Sequence, residues 1–244
     1  MSTRQKVNNI SILQTIKALE SRGFRTNFVN NKKEAKDIIL KMLPENSTIG
    51  IGDSTTLTQI EVIPEIKLRG YRVSNPFQVE IDQNSRKSFE NKLRESLFQD
   101  IFITGANVVT KEGMIISIDA GGNRVAGTIF TKKVILVVGQ NKIVENLNEA
   151  FQRIREVIAP EHAKNKNFNV PCVKTGKCVD CRAKERICNV MMILEGKPFR
   201  TEVEVIIIGE DLGLGWDPKW TNKRIDAIRE NYIRKCWKPT GKVI

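Results

Sequence analysis

The sequence predicts an α/β fold built on a mainly parallel, doubly wound sheet. Three observations carry that prediction. Short apolar runs alternate with segments of helical period along most of the chain, the pattern of strand–helix–strand units. The run from Lys133 to Val138 is almost entirely Val, Ile and Leu, as expected of a central parallel strand covered on both faces. Glycine-rich turns follow several runs directly, and open α/β sheets place their ligand loops there.

Each element has its own signal. Ile10, Leu13, Ile16 and Leu19 fall at helical spacing, and Gly23 stops that helix. Phe24–Val29 reads as a strand, Lys33–Leu43 as a helix ended by Pro44, and Ser47–Ile51 as a buried strand. Leu57–Leu68 reads as a helix that Pro64 should kink. Tyr71–Ser74 is a strand, and Ser85–Gln99 is amphipathic. Asp100–Thr104 is a strand. Val108, Val109 and Met114–Ile118 form a hairpin around Lys111, Glu112 and Gly113. A short helix starts at Arg124, and a long one is expected over Ile143–Ile158, closed by Pro160. Strands at Val190–Leu194 and Val203–Ile208 precede a basic helix around Lys223–Lys235.

The whole chain, 1–244, reads as a single domain with a Cys-rich, metal-binding segment at about 161–200. No apolar run approaches the ~20 residues that cross a bilayer. No signal-peptide core follows Met1, so a cytoplasmic, reducing location is expected. The net charge of +12 points to anionic ligands or partners. With 6% aromatic residues and no nucleic-acid-reading motif, specific nucleic-acid binding is not expected. The oligomeric state is left open.

Four glycine loops are candidate ligand loops: Gly50, Gly52, Asp53, Ser54 and Thr55; Gly105 to Asn107; Gly121, Gly122, Asn123 and Arg124; Gly139 to Lys142. Backbone N–H groups at such turns can approach an anion. An ordinary strand-to-helix turn is the simpler account of any one of them. Gly50 and Gly52 lack the third glycine of a dinucleotide fingerprint, and no Walker lysine follows. Together the loops suggest one cleft for a small anionic metabolite, with Lys111, Arg124 and Lys142 as anion contacts. Glu112 and Asp119 are the acid/base candidates, each with a plain alternative as a turn residue or a cap. His162, the single histidine, reads first as a helix-terminal residue and second as a contact to the cluster or substrate, and Cys236 as an isolated thiol.

Cys172, Cys178, Cys181 and Cys188 are separated by five, two and six residues. Thiols this dense in a reducing compartment usually share a soft metal, which offsets their mutual repulsion. An iron–sulfur cluster of the four-thiolate, 4Fe–4S type is the first expectation. Structural zinc is the alternative, and disulfides or reduced thiols remain open.

Six stretches together resemble the lactate-utilisation (LUD) domain family: Ile49 to Leu57, Phe102 to Gly113, Ile118 to Ala126, Val138 to Val144, Pro171 to Cys181 and Arg186 to Asn189. The resemblance runs from about Ile10 to Leu214. It implies a NagB/RpiA/CoA-transferase-like fold, whose members hold sugar phosphates, coenzyme A or folate near corresponding loops. It also implies a part in lactate or other small hydroxy-acid utilisation as an iron–sulfur redox component, with an electron-transfer protein as partner. Two alternatives stand beside it. One is a non-redox isomerase or transferase acting on a phosphorylated or CoA-linked metabolite, with a structural metal. The other is a ligand-binding module that senses iron or redox state.

Overall fold

Five consecutive Val, Ile and Leu residues decide the centre of the molecule. Lys133–Gly139 forms a strand whose residues Val134 to Val138 have no solvent exposure. Burying each such side chain is worth about 1.5–3 kcal/mol. The computed structural model describes residues 3–78 and 86–238.

Ten strands are present among the described residues: β1 (Arg25–Val29), β2 (Thr48–Ile51), β3 (Arg72–Ser74), β4 (Ile101–Gly105), β5 (Val108–Thr110), β6 (Ile115–Asp119), β7 (Lys133–Gly139), β8 (Ile143–Val144), β9 (Val190–Leu194) and β10 (Glu202–Ile208). Six form an all-parallel sheet in the order β1-β10-β7-β4-β2-β3. The helices are α1 (Thr3–Ser21), α2 (Lys32–Met42), α3 (Thr55–Ile60), α4 (Val62–Leu68), α5 (Arg86–Glu95), α6 (Asn123–Phe130), α7 (Leu147–Gln152), α8 (Ala159–Asn165), α9 (Pro171–Thr175) and α10 (Asn222–Lys235).

The alternation along β7 sends Ile135 and Val137 into one core with α2, α3 and α4, and Val134, Leu136 and Val138 into another with α1. Both faces are thus covered, as a doubly wound α/β sheet requires. Asn31 starts α2 by accepting from the backbone N–H groups of Lys33 and Glu34 at 3.1 and 3.0 Å, an N-cap. None of the described helices is long and apolar enough to cross a membrane.

Several expectations are corrected. The hairpin belongs to a second, mixed sheet in the order β8-β5-β6-β9, wedged between the core containing α1 and a third core made by α7, α8 and α10. Ile143 and Val144 pair in parallel with Val109 and Thr110 and are not helical. The helix starts at Leu147, where the Asn146 side chain accepts from Glu149 N at 3.1 Å. Pro160 does not end that helix. A π-turn over Arg153–Ile158 joins α7 to α8, and Pro160 opens α8, a position where its missing N–H is tolerated. The break in the earlier helix falls at Glu61, with φ 55°, and not at Pro64. α1 buries Ile12 and Leu19, while Ile10 and Leu13 face solvent. Ser85 lies outside the described residues.

Candidate functional site

Because β2, β4 and β7 run parallel, their carboxyl ends open on one side. A cleft of about 680 Å³ lies there, in the size range of small-molecule sites. β2 delivers Asp53 and Ser54, and β4 delivers Gly105 and Asn107. The turn after β7 delivers Lys142, and the loop after β6 delivers Asp119 and Gly121 to Arg124. Thr55 lines it from the start of α3.

Not every candidate belongs. Glu112 is exposed in the β5–β6 turn, away from the cleft, and its backbone carbonyl accepts from Arg22 Nε at 2.6 Å. The hairpin carries Asp119 and Glu112 to opposite ends of β6. Lys111 is spent on Glu145 at 2.5 Å. Gly50, Gly52 and Gly139 do not line the cleft either. A Cβ on them would stand 2.0 Å from the Ser96 carbonyl, 2.5 Å from Thr104 Oγ1 and 2.5 Å from the Leu212 nitrogen. These glycines allow close packing behind the loops.

The remaining side chains are tightly held. Asp119 Oδ2 accepts from the backbone N–H groups of Arg124 and Val125 at 2.8 and 3.1 Å, so it caps α6. The Arg124 guanidinium donates to Asn107 Oδ1 at 2.7 Å, to the Ile118 carbonyl at 2.5 Å and to the Asp53 carbonyl at 3.4 Å. Lys142 is buried. Its Nζ donates to Thr56 Oγ1 at 3.2 Å and to the Ala106 carbonyl at 2.9 Å. Burial, and then the charge of Arg124, lower its pKa to about 7.

Apart from His162, sequence reasoning missed the opposite wall. α8 brings His162 and Lys166, the latter paired with Asp53 and lying 4.7 Å from the centre of the Trp237 ring. Burial would push the Asp53 carboxyl up, but the Lys166 ammonium beside it holds it below the usual range. Burial, with Lys166 and Arg124 beside it, drives His162 down to about 3 against the pull of Asp53. His162 is therefore a neutral imidazole, with Nδ1 2.5 Å from the Tyr232 hydroxyl. Burial raises the Tyr232 phenol well above its ordinary value. Cys236 is buried and donates to the same hydroxyl at 3.2 Å. Phe77, Phe89 and Trp237 pack edge-on and stacked along the rim. His162 is the one residue of this wall that the sequence offers as a substrate contact.

The cysteine segment forms part of the cleft's edge. Lys184, Ile187 and Asn189 line the cleft, and Ile187 packs with Ala163 and Val170 in a small core that Cys172 touches. All four thiols are free and half-buried. Burial raises the Cys172 thiol, followed by the negative charges of Cys181, Cys178 and Cys188. Cys172 therefore feels the other three cysteines. Asp180 N donates to Cys178 Sγ at 3.4 Å and Arg186 Nε to Cys188 Sγ at 3.3 Å. Such N–H···S contacts suit metal-bound thiolates. Among the described residues no group of three or more His, Cys, Asp or Glu side chains stands where it could hold a metal ion.

The LUD-domain model matches residues 12–208. The chain belongs to the LUD-domain family. No curated protein sequence matches it. Among solved structures, this LUD chain is similar to the crystal structure, at 1.70 Å resolution, of a DUF162 family protein from Deinococcus radiodurans. The identity is 17% and the TM-score 0.48, over 82% of this chain and 98% of that one. The LUD match ends at 208, so Gly213, Leu214, Tyr232 and Trp237 enter the cleft from beyond it.

Proposed function

We propose that this LUD protein binds a small anionic 2-hydroxy or 2-oxo acid, such as lactate or pyruvate, in the strand-end cleft. In this reading it serves as an iron–sulfur redox component of hydroxy-acid utilisation. The observation that carries it is shared construction: the segment bearing Cys172, Cys178, Cys181 and Cys188 also supplies Lys184, Ile187 and Asn189 to the cleft wall. A metabolite there would touch the segment that carries the four thiols, while the thiols themselves stand outside the cleft lining. The four cysteines are the donor type a four-thiolate cluster takes, and Cys178 and Cys188 already accept N–H groups, while the described residues do not hold three such donors together at one point. A bound cluster supplies one-electron transfer, passed on to an electron-transfer protein.

The chain's own groups account for the ligand's charge. Arg94, Arg124, Lys142, Lys166 and Lys184 line the cleft against Asp53, Glu90 and Asp119, so basic side chains outnumber acidic ones where an anion would sit. Asp53 holds Lys166 in place, and Asn107 with Ile118 holds the Arg124 fork.

Anaerobic purification followed by iron, sulfide and zinc analysis tests the redox half. Iron with acid-labile sulfide and a visible absorption band that bleaches on reduction are expected, and Cys178→Ser should lose them. Zinc alone would overturn the redox assignment. Calorimetric titration with lactate, pyruvate and a neutral amide of each tests the ligand half, and equal affinity for the amides would sink it.

A further inference from the structure

A lysine stands at the floor of the cleft with no carboxylate beside it. Lys142 is 6% exposed, and the partners of its Nζ are a hydroxyl and a backbone carbonyl. Among the described residues no acidic side chain pairs with it, whereas Lys166 across the cleft is paired with Asp53. Buried lysines in a folded protein are normally paired, because an unpaired buried ammonium is costly. Space is nevertheless kept for this one. Gly213 faces it, and a Cβ there would stand 2.6 Å from Lys142 Cε, 2.7 Å from Nζ and 2.6 Å from Thr56 Oγ1. An amine in such a place, desolvated and next to a second cation, Arg124, has the two features that make lysines nucleophilic toward carbonyl carbon.

We propose that Lys142 is a catalytic nucleophile that forms a reversible imine with the carbonyl of a 2-oxo acid held in the cleft. This rests on the anionic-metabolite reading above and adds a covalent site to it. The Nζ lone pair attacks the carbonyl carbon, an N–C bond forms, and the carbonyl π pair moves to oxygen. The resulting carbinolamine loses that oxygen as water, carrying the two protons the amine brought, and C=N replaces C=O. No electrons enter or leave. Arg124, lining the same cleft, supplies the charge that attracts the acid's carboxylate.

The role also accounts for the difference between the two cleft lysines. Lys166 is charged, paired and stacked under Trp237, which suits binding. Lys142 is held only by neutral acceptors, so losing its proton breaks no ion pair.

Full-length protein is incubated with pyruvate and cyanoborohydride, digested and mapped by mass spectrometry. The expected result is a carboxyethyl group on Lys142, appearing at least about tenfold faster than on any other lysine, as a desolvated nucleophile requires. Lys142→Met should lose this label. If that variant fails to fold, the wild-type peptide map decides alone. Pyruvate that binds by calorimetry but leaves Lys142 unlabelled, or labels surface lysines equally fast, overturns the imine and leaves the anionic-ligand reading intact. Labelling of Lys142 by dihydroxyacetone, with neither binding nor labelling by pyruvate, supports the nucleophile and overturns the anionic reading.

Discussion

At the carboxyl ends of β2, β4 and β7, the side chains facing the cleft are anchored to backbone and to strands that are themselves fully buried. Across the cleft, the stretch from Pro171 to Asn189 holds one helix of five residues and four half-buried thiols. It is tied down by contacts such as Cys178 N to the Arg155 carbonyl at 2.9 Å and Arg186 Nη1 to the Cys181 carbonyl at 2.7 Å. The first region is held by its own hydrogen bonds and ion pairs. The second is short of such ties, so a metal that gathers the thiols would contribute much of its order. The two regions should therefore respond oppositely to substitution.

The largest expected effect is electrostatic. Folded Lys142 has a pKa of about 7, against an ordinary 10.5. Because the folded value is the lower one, the unfolded chain holds more protons between these two pH values, and stability rises with pH across that window. Relative to Lys142→Met, the wild type should gain about 3–5 kcal/mol from pH 7 to pH 10.5, at about 1.4 kcal/mol per pH unit. Denaturant unfolding of both proteins at the two pH values measures it. A constant difference would show that the floor is more solvated than the structure places it.

Gly50→Ala comes next. Its methyl would meet the Ser96 carbonyl at 2.0 Å, and a rigid backbone neighbour makes the cost about 3 kcal/mol. A lower melting temperature with metal content unchanged is expected. Normal stability with lost ligand affinity would return Gly50 to the ligand loop.

Asp53→Asn strips Lys166, whose side chain is 4% exposed, of its carboxylate. A fully buried pair broken this way costs about 3–5 kcal/mol, and the 28% exposure of Asp53 reduces that to about 2. Lys166→Met in the same background should recover most of the loss, and a thermal melt of the double variant checks it.

The smallest effect sharpens the contrast. In metal-free protein, Cys178→Ser with Cys181→Ser should change stability by less than about 0.5 kcal/mol, as for half-exposed surface positions. A drop above 1 kcal/mol, about a fivefold change in the folded ratio, would mean that the thiols already support the fold without a metal.

Most of the parallel sheet could be read from the chain, because a strand covered on both faces leaves a run such as Val134 to Val138. The second sheet was harder to read. β8 has two residues, and Ile143 stands four positions before Leu147, which imitates a helix until Asn146 is seen to cap it. The cleft was half legible. Loops after parallel strands share an edge, so Asp53, Asn107, Arg124 and Lys142 could be placed together. A glycine leaves the same trace whether it admits a ligand or a neighbouring backbone, so Gly50, Gly52 and Gly139 were misassigned. The Asp53–Lys166 pair spans 113 positions, and no local pattern announces a partner so distant. His162 was visible, but its place in the wall depends on a helix that continues past Pro160.

That continuation has an angular consequence. An α-helix turns by about 100° per residue, and a π-turn accommodates one extra residue. The turn over Arg153–Ile158 thus resets the phase of everything after it. In the phase that follows, His162 and Lys166 point into the cleft while Ala159 and Ala163 face the interior. Delete a single residue from the turn, and the same sequence would present those two side chains about a quarter-turn away, with Asp53 and Tyr232 left facing a different stripe of the helix.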